Sequence, residues 1–181
     1  MWRRALACFA AGLLAGSQCL AYAAPPSEYQ VKAVFLFNFS HFVSWPSSAF
    51  PDSAAPLVIT VIGMDPFGAS LDAVVKGEHV GDRALVVHRV QDVAQIGDCQ
   101  ILFIGRSEAG RLADIVKASH GHGILTVSDI DGATARGVMI GLVNQEDHIR
   151  LQINVGAARD AGLTLSSKLL RPAQIVGSGP G

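Results

Sequence analysis

The apolar positions of this chain fall into short blocks of two kinds. Blocks of the first kind repeat at helical spacing. Val31, Val34, Phe35, Phe39, Phe42 and Val43 recur in this way and predict a helix over Glu28–Val43. Ser27 stands where an N-cap belongs, and Glu28 puts a negative charge in the first turn, where the helix dipole favours one. Trp45-Pro46 and the serine- and proline-containing stretch Ser47–Pro56 end this helix in a loop. Ala69–Val75 and Glu108–Ser119 read as further helices. Val155–Ala161, capped by Asn154 and stopped by Gly162, reads as a fourth, and Ser166 caps a last one running through Leu169 and Leu170.

Blocks of the second kind are continuous. Leu57–Ile62 is β-branched at every position after Leu57, the pattern of a strand covered on both faces. Ala84–Val90, Ile101–Ile104 and Ile124–Val127 predict three more strands. Strands alternating with helices predict a parallel sheet. Val138–Val143 and His148–Ile153, separated by Asn144–Asp147, predict an antiparallel hairpin with a four-residue loop. The expected fold is therefore a single α/β domain. Its central sheet is mostly parallel and flanked by helices on both faces, and it ends in a C-terminal antiparallel hairpin.

The first block fits neither pattern. Arg3 and Arg4 precede an uncharged apolar stretch over Leu6–Gly16, and Ala21-Tyr22-Ala23 supplies small residues at the two positions a signal peptidase reads. Residues 1–23 are expected to be a secretory signal peptide, with the mature domain over 24–181 and the protein in the periplasm. The apolar stretch is shorter than the roughly 20 residues a membrane span needs. Removing it lowers the basic count to 12 against 15 acidic residues. It also leaves Cys99 as the one cysteine, so no internal disulfide is available and a packed core has to hold the fold.

Composition narrows the chemistry. Half of the residues are apolar, 16% are charged, and the net charge of the whole chain is −1. That balance excludes a disordered chain and a basic nucleic-acid binder. His120 and His122 flank Gly121 without a third ligand nearby in sequence, and the other four histidines are scattered, so no metal site is expected. Ser128-Asp-Ile-Asp-Gly132 resembles the start of a calcium loop but lacks its closing glutamate. No phosphate-binding glycine loop and no nucleophile elbow is present, and neither a cofactor nor a catalytic set is expected. Asp65, Ser107 and Asp129 fall at predicted strand C-termini, where open α/β sheets bind ligands. They are the candidates for a small-molecule site. Phe42 and Trp45 at the end of the first helix, and Leu169, Leu170 and Arg171 near the C-terminus, are the candidates for contact with a protein partner.

Several segments together resemble the YfiR family. They are Glu28-Tyr-Gln-Val-Lys-Ala-Val-Phe-Leu-Phe-Asn-Phe39 with Phe42-Val-Ser-Trp-Pro46, then Asp65-Pro-Phe-Gly68, Cys99–Ile104 with Ser107-Glu108, and Gly123–Asp129. Gly141-Leu-Val143, Ile149–Asn154 and Ser166–Arg171 complete the set. The resemblance covers about Tyr29 to Val176. It implies a small non-catalytic periplasmic α/β protein that binds the periplasmic part of an inner-membrane diguanylate cyclase and represses it, lowering cyclic-di-GMP and restraining biofilm formation. Better-known members carry several cysteines tied to redox control, which a mature chain with Cys99 alone does not reproduce. Two alternatives stay open beside it: a periplasmic small-molecule binding module, and an accessory protein of a sensor kinase or outer-membrane transporter. The expected partner is the cyclase or a related membrane signalling protein, with a homodimer as a further state. N-terminal sequencing of protein recovered from the periplasm is expected to begin at Ala24. An intact Met1 in a membrane fraction would show instead that the segment is an anchor.

Overall fold

The computed structural model describes residues 26–146 and 148–177. The expected signal peptide lies outside the described residues. Helix α1 spans Glu28–Phe42 and is followed at once by the short strand β1, Val43–Ser44. Then come β2 (Leu57–Ile62), α2 (Ala69–Val75), β3 (His79–Val80), β4 (Arg83–Val90) and β5 (Ile101–Ile104). The chain continues through α3 (Leu112–Ser119), β6 (Leu125–Ser128), β7 (Ile140–Gln145) and β8 (His148–Asn154). It closes with α4 (Val155–Asp160), β9 (Thr164–Leu165), α5 (Ser167–Leu170) and β10 (Gln174–Val176).

Eight strands form one mixed sheet in the order β10-β8-β7-β6-β5-β2-β4-β3. From β7 to β4 all neighbours run parallel. Antiparallel pairing begins outside this block, at β7 with β8 on one side and at β4 with β3 on the other. Counted along the chain, the five parallel strands take the order 2-1-3-4-5 of a doubly wound sheet. The sequence reading of an α/β domain holds, and the sheet carries more antiparallel pairing at its edges than that reading contained.

Side chains alternate across the sheet and build two cores. Ile59, Val61, Ile101, Phe103, Leu125 and Val127 point to one face, which α1, α2, α4 and α5 cover. Val58, Ile62, Leu102 and Ile104 point to the other, which is covered by α3 through Leu112, Ile115 and Val116. Cys99 belongs to this second core, and burial pushes its thiol up to about 11. It is therefore held as the unreactive thiol at neutral pH.

Several boundaries differ from the sequence reading, each for a local reason. The hairpin closes more tightly than expected, because pairing continues to Gln145↔His148. Glu146 takes a positive φ of 51°, as a two-residue hairpin turn requires. The helix expected from Glu108 is split into a 3-10 turn over Arg106–Glu108 and α3 from Leu112, with Gly110 between them. Strands β1 and β9 pair antiparallel in a separate two-stranded ribbon, Val43↔Leu165 and Ser44↔Thr164, which ties the end of α1 to the C-terminal region.

Candidate functional site

The N-terminal half of α1 lies over the ends of β5 and β6, and charged groups meet there. The helix begins with a full capping box, in which the Ser27 hydroxyl accepts from the Gln30 amide and the Gln30 side chain accepts from the Ser27 amide. This fixes the first turn. Lys32, one turn further on, is wholly buried and donates to Asp129 Oδ2 at 2.6 Å and also to Glu28. The Tyr29 hydroxyl donates to the same Asp129 oxygen at 2.9 Å. Arg106, at the end of β5, reaches the Asp129 carbonyl oxygen at 3.3 Å and Glu28 at 3.3 Å. Asn144 of β7 donates to the other Glu28 oxygen at 3.3 Å. The cluster thus joins α1 to three neighbouring strands.

Its electrostatics follow from that geometry. The hydrogen bond from Lys32 holds the Glu28 carboxyl below the usual carboxylate range. Burial, reinforced by the bond to Asp129, pushes the Tyr29 phenol up to about 12. Asp129 Oδ1 is also buried and makes no hydrogen bond to the described residues. A buried pair of this kind contributes little net stability, but removing one partner strands the other charge in the interior.

The three ligand candidates lie along the same rim but are occupied by the protein's own groups. Asp65 accepts from the Phe67 amide at 2.8 Å and pairs with Arg89 at 2.6 Å, and Arg89 also grips Asp72 through two nitrogens. Ser107 accepts from the Met64 amide at 3.0 Å and donates to Glu108 at 3.2 Å. At the point where the strand order reverses, between β2 and β5, Gly63 sits at φ 88°. A Cβ there would collide with Ser107 Oγ and Glu108 Oε1, so these side chains fill the crevice that such sheets offer to ligands.

The partner candidates lie at the other end of α1. Phe42 is half-buried against the first core, and its carbonyl accepts from the Ser166 amide at 2.8 Å. Trp45 is half-buried as well, with its indole N–H donating to the Gln100 carbonyl at 3.1 Å. Leu169 is core, Leu170 packs against it half-buried, and Arg171 is exposed. The structure brings Phe42 and the Ser166–Arg171 segment side by side, through the ribbon of β1 and β9 and through packing of α5 on α1.

Sequence reasoning missed the most unusual feature of α1. Its charged residues are Glu28 and Lys32, and both turn toward the strand ends. Ala33, Leu36 and Phe39 face the core, whereas Val34 on the opposite side is 45% exposed, with Val31 and Phe35 half-buried beside it. A groove of about 550 Å³ runs between Gln30, Val31 and Val34 of α1 and Ser70, Ala73 and Val74 of α2. A second, of about 540 Å³, lies on the other flank, between Val31 and Phe35 and the β7–β8 hairpin residues Asn144, His148 and Ile149. A third concavity of about 520 Å³ opens at the N-terminal ends of β5 and β6, among Pro46, Phe50, Asp98, His122 and Asp160.

A family model described as YfiR/HmsC-like matches residues 29–174. The chain belongs to the YfiR/HmsC-like family. No curated protein matches the sequence closely enough to add a nearer relative. The matched span opens at Tyr29 and closes at Gln174, so it contains Lys32, Arg106 and Asp129, as well as the α1 residues that line the first two grooves, Glu28 excepted. For this YfiR/HmsC-like chain, no helix among the described residues is long and apolar enough to cross a membrane.

Two measurements probe the cluster. Lys32→Met is expected to cost about 3–5 kcal/mol in urea unfolding, because Asp129 loses its buried cation. The pair Lys32→Met with Asp129→Asn should cost less than the sum of the single changes. A cost below about 1 kcal/mol for Lys32→Met would show that the ion pair does not anchor α1. Tyr29 is the one tyrosine left after cleavage before Ala24, so phenolate absorbance reports it alone. Its midpoint is expected near 12, above the ordinary 10. Since the folded value is the raised one, its contribution to stability is complete below about pH 10 and is lost as pH rises through about 12. A midpoint near 10 in protein still folded by circular dichroism would contradict the hydrogen bond to Asp129.

Proposed function

We propose that this protein is a non-catalytic periplasmic regulator. It binds the periplasmic part of an inner-membrane diguanylate cyclase and represses it, which lowers cyclic-di-GMP and restrains biofilm formation. The family match over residues 29–174 carries this reading. The site geometry supports it. Asp65, Ser107 and Asp129 bond within the protein, and the crevice between β2 and β5 is filled by Ser107 and Glu108.

Repression through direct contact needs the protein on the same side of the membrane as the sensor part of the cyclase. Cleavage before Ala24 would deliver it there as a free domain.

Deleting the gene is expected to raise cyclic-di-GMP and surface attachment. A full-length copy should restore both, and a copy lacking residues 2–23 should restore neither. Unchanged cyclic-di-GMP on deletion, with no cyclase recovered alongside the tagged protein, would overturn the reading in favour of an accessory role to a kinase or transporter.

A further inference from the structure

A sheet edge with unpaired backbone groups is a template for another strand, and proteins blunt such edges with lysine, proline, a bulge or a covering element. Strand β4 is protected over only part of its length. Strand β3 pairs with Arg83 and Ala84, and the Leu85 amide donates to the Glu78 carbonyl at 3.0 Å. Past the other end of β4, the Gln91 amide donates to the Gln95 side chain at 3.2 Å. Between these two points the edge is open. Backbone groups alternate in direction along a strand. The Val90 carbonyl accepts from the Gly63 amide on the β2 side, so Val86, His88 and Val90 bond inward while Val87 and Arg89 face outward. The amides and carbonyls of Val87 and Arg89 bond to none of the described residues.

Neither lysine nor proline guards this stretch. Arg89 does not guard it either, because its guanidinium is held by Asp65 and Asp72. The apolar side chains along the edge are half covered. Val87, with Val74 and Val80, forms the margin of the first core. Val86 and Val90, with Val93, form the margin of the second.

We propose that the Val86–Val90 edge of β4 receives an extended segment of the membrane partner's periplasmic part, which pairs with it as an added strand in line with β3. The proposal rests on the regulatory reading above. Hydrogen bonding decides the form of the occupant. Two outward amides and two outward carbonyls call for matching carbonyls and amides spaced along an extended chain, which neither a helix nor a lipid offers. Burial decides its side chains. Half-covered valines on both faces of the sheet call for apolar residues on both sides of the added segment.

The chain's own segments and a second copy do not fit. Ser178–Gly181 follow β10, which lies six strands from β4, about 29 Å away. Four residues reach about 14 Å. Cleavage before Ala24 would leave two residues ahead of Pro26, fewer than the three that bridge Val87 to Arg89. A second copy paired antiparallel through both open residues would set Val87 of each copy opposite Arg89 of the other. Gln91 of each would then fall opposite Leu85 of the other, a place already taken by Glu78.

The test places the photo-crosslinking amino acid p-benzoylphenylalanine at exposed His88, and at exposed Arg159 of α4 as a control, in the full chain in its own cell. Val87→Pro is assayed in parallel for co-purification. It removes an outward amide and no bond to β2, and proline is tolerated at such an edge position. Position 88 should give an adduct with a membrane protein and position 159 none. Val87→Pro should lower partner recovery at least about tenfold, with a melting temperature no more than about 5 °C below that of the unchanged protein. In the recovered complex, amide hydrogen exchange at Val87 and Arg89 should slow at least about tenfold relative to the free protein, in which Val86 and His88 already exchange slowly. An adduct with a diguanylate cyclase, with slowed exchange at Val87 and Arg89, supports both the edge and the regulatory reading. The same result with a different membrane protein supports the edge and removes the cyclase. Recovery of a cyclase with unchanged exchange at Val87 and Arg89 overturns the edge, whatever Val87→Pro does, and leaves the regulatory reading standing. Undiminished recovery with Val87→Pro, or adducts from position 88 only with a second copy of this chain, also overturns it.

Discussion

The position of α1 depends on one buried contact, that between Lys32 and Asp129. A helix with apolar residues on every side has no strong preference for which side meets a core. The ammonium group of Lys32 does. Beyond Glu28 of its own helix, the carboxylate it meets is that of Asp129 at the end of β6, with Tyr29 completing its surroundings. Ionic pairing therefore sets the rotation of the helix about its axis, and apolar packing supplies the adhesion. The arrangement resembles the use of a single buried polar residue to fix register between helices.

The rim of the sheet has been turned to this purpose. In doubly wound sheets the C-terminal ends of the strands are the usual place for a ligand. Here that edge holds Arg89 between Asp65 and Asp72, Arg111 against Glu108, and Arg106 against Glu28 and Asp129. Three arginines and their carboxylates lock loops that in other proteins would close on a substrate. The rim acts as an anchor for the helix layer.

How much of this the sequence disclosed depends on how local each signal is. Leu57–Ile62, Ala69–Val75 and Ile101–Ile104 were legible residue for residue, because an apolar run between turn residues or a capped helical period is complete within its own window. Strands β1, β3, β9 and β10 have two or three residues each and exist only through their partners, so no period could reveal them. Asn144 and Gln145 read as loop because they are polar, yet they pair with Ile149 and His148 on an exposed stretch of hairpin. The charge cluster was the least legible part. Glu28 and Lys32 four residues apart look like an ordinary surface pair. What buries Lys32 is Asp129, 97 residues away, whose own neighbours in sequence suggest only a strand end and a turn. The candidates at Asp65, Ser107 and Asp129 were read as strand-end residues, but sequence could not say that each already bonds to the protein's own groups.

The long loop that the Lys32–Asp129 contact closes also bears on how the chain reaches its folded state. Contacts across such sequence separations form slowly, since the intervening chain must be ordered before they bring any gain. Helix α1 has 15 residues, about the length at which an isolated helix is marginal in water. In a chain made N-terminus first, α1 emerges before β5, β6 and the strand β9 that holds its end through β1. For that interval both its sides are uncovered. The element that stays partly bare in the finished protein is therefore also the one that waits longest for its place.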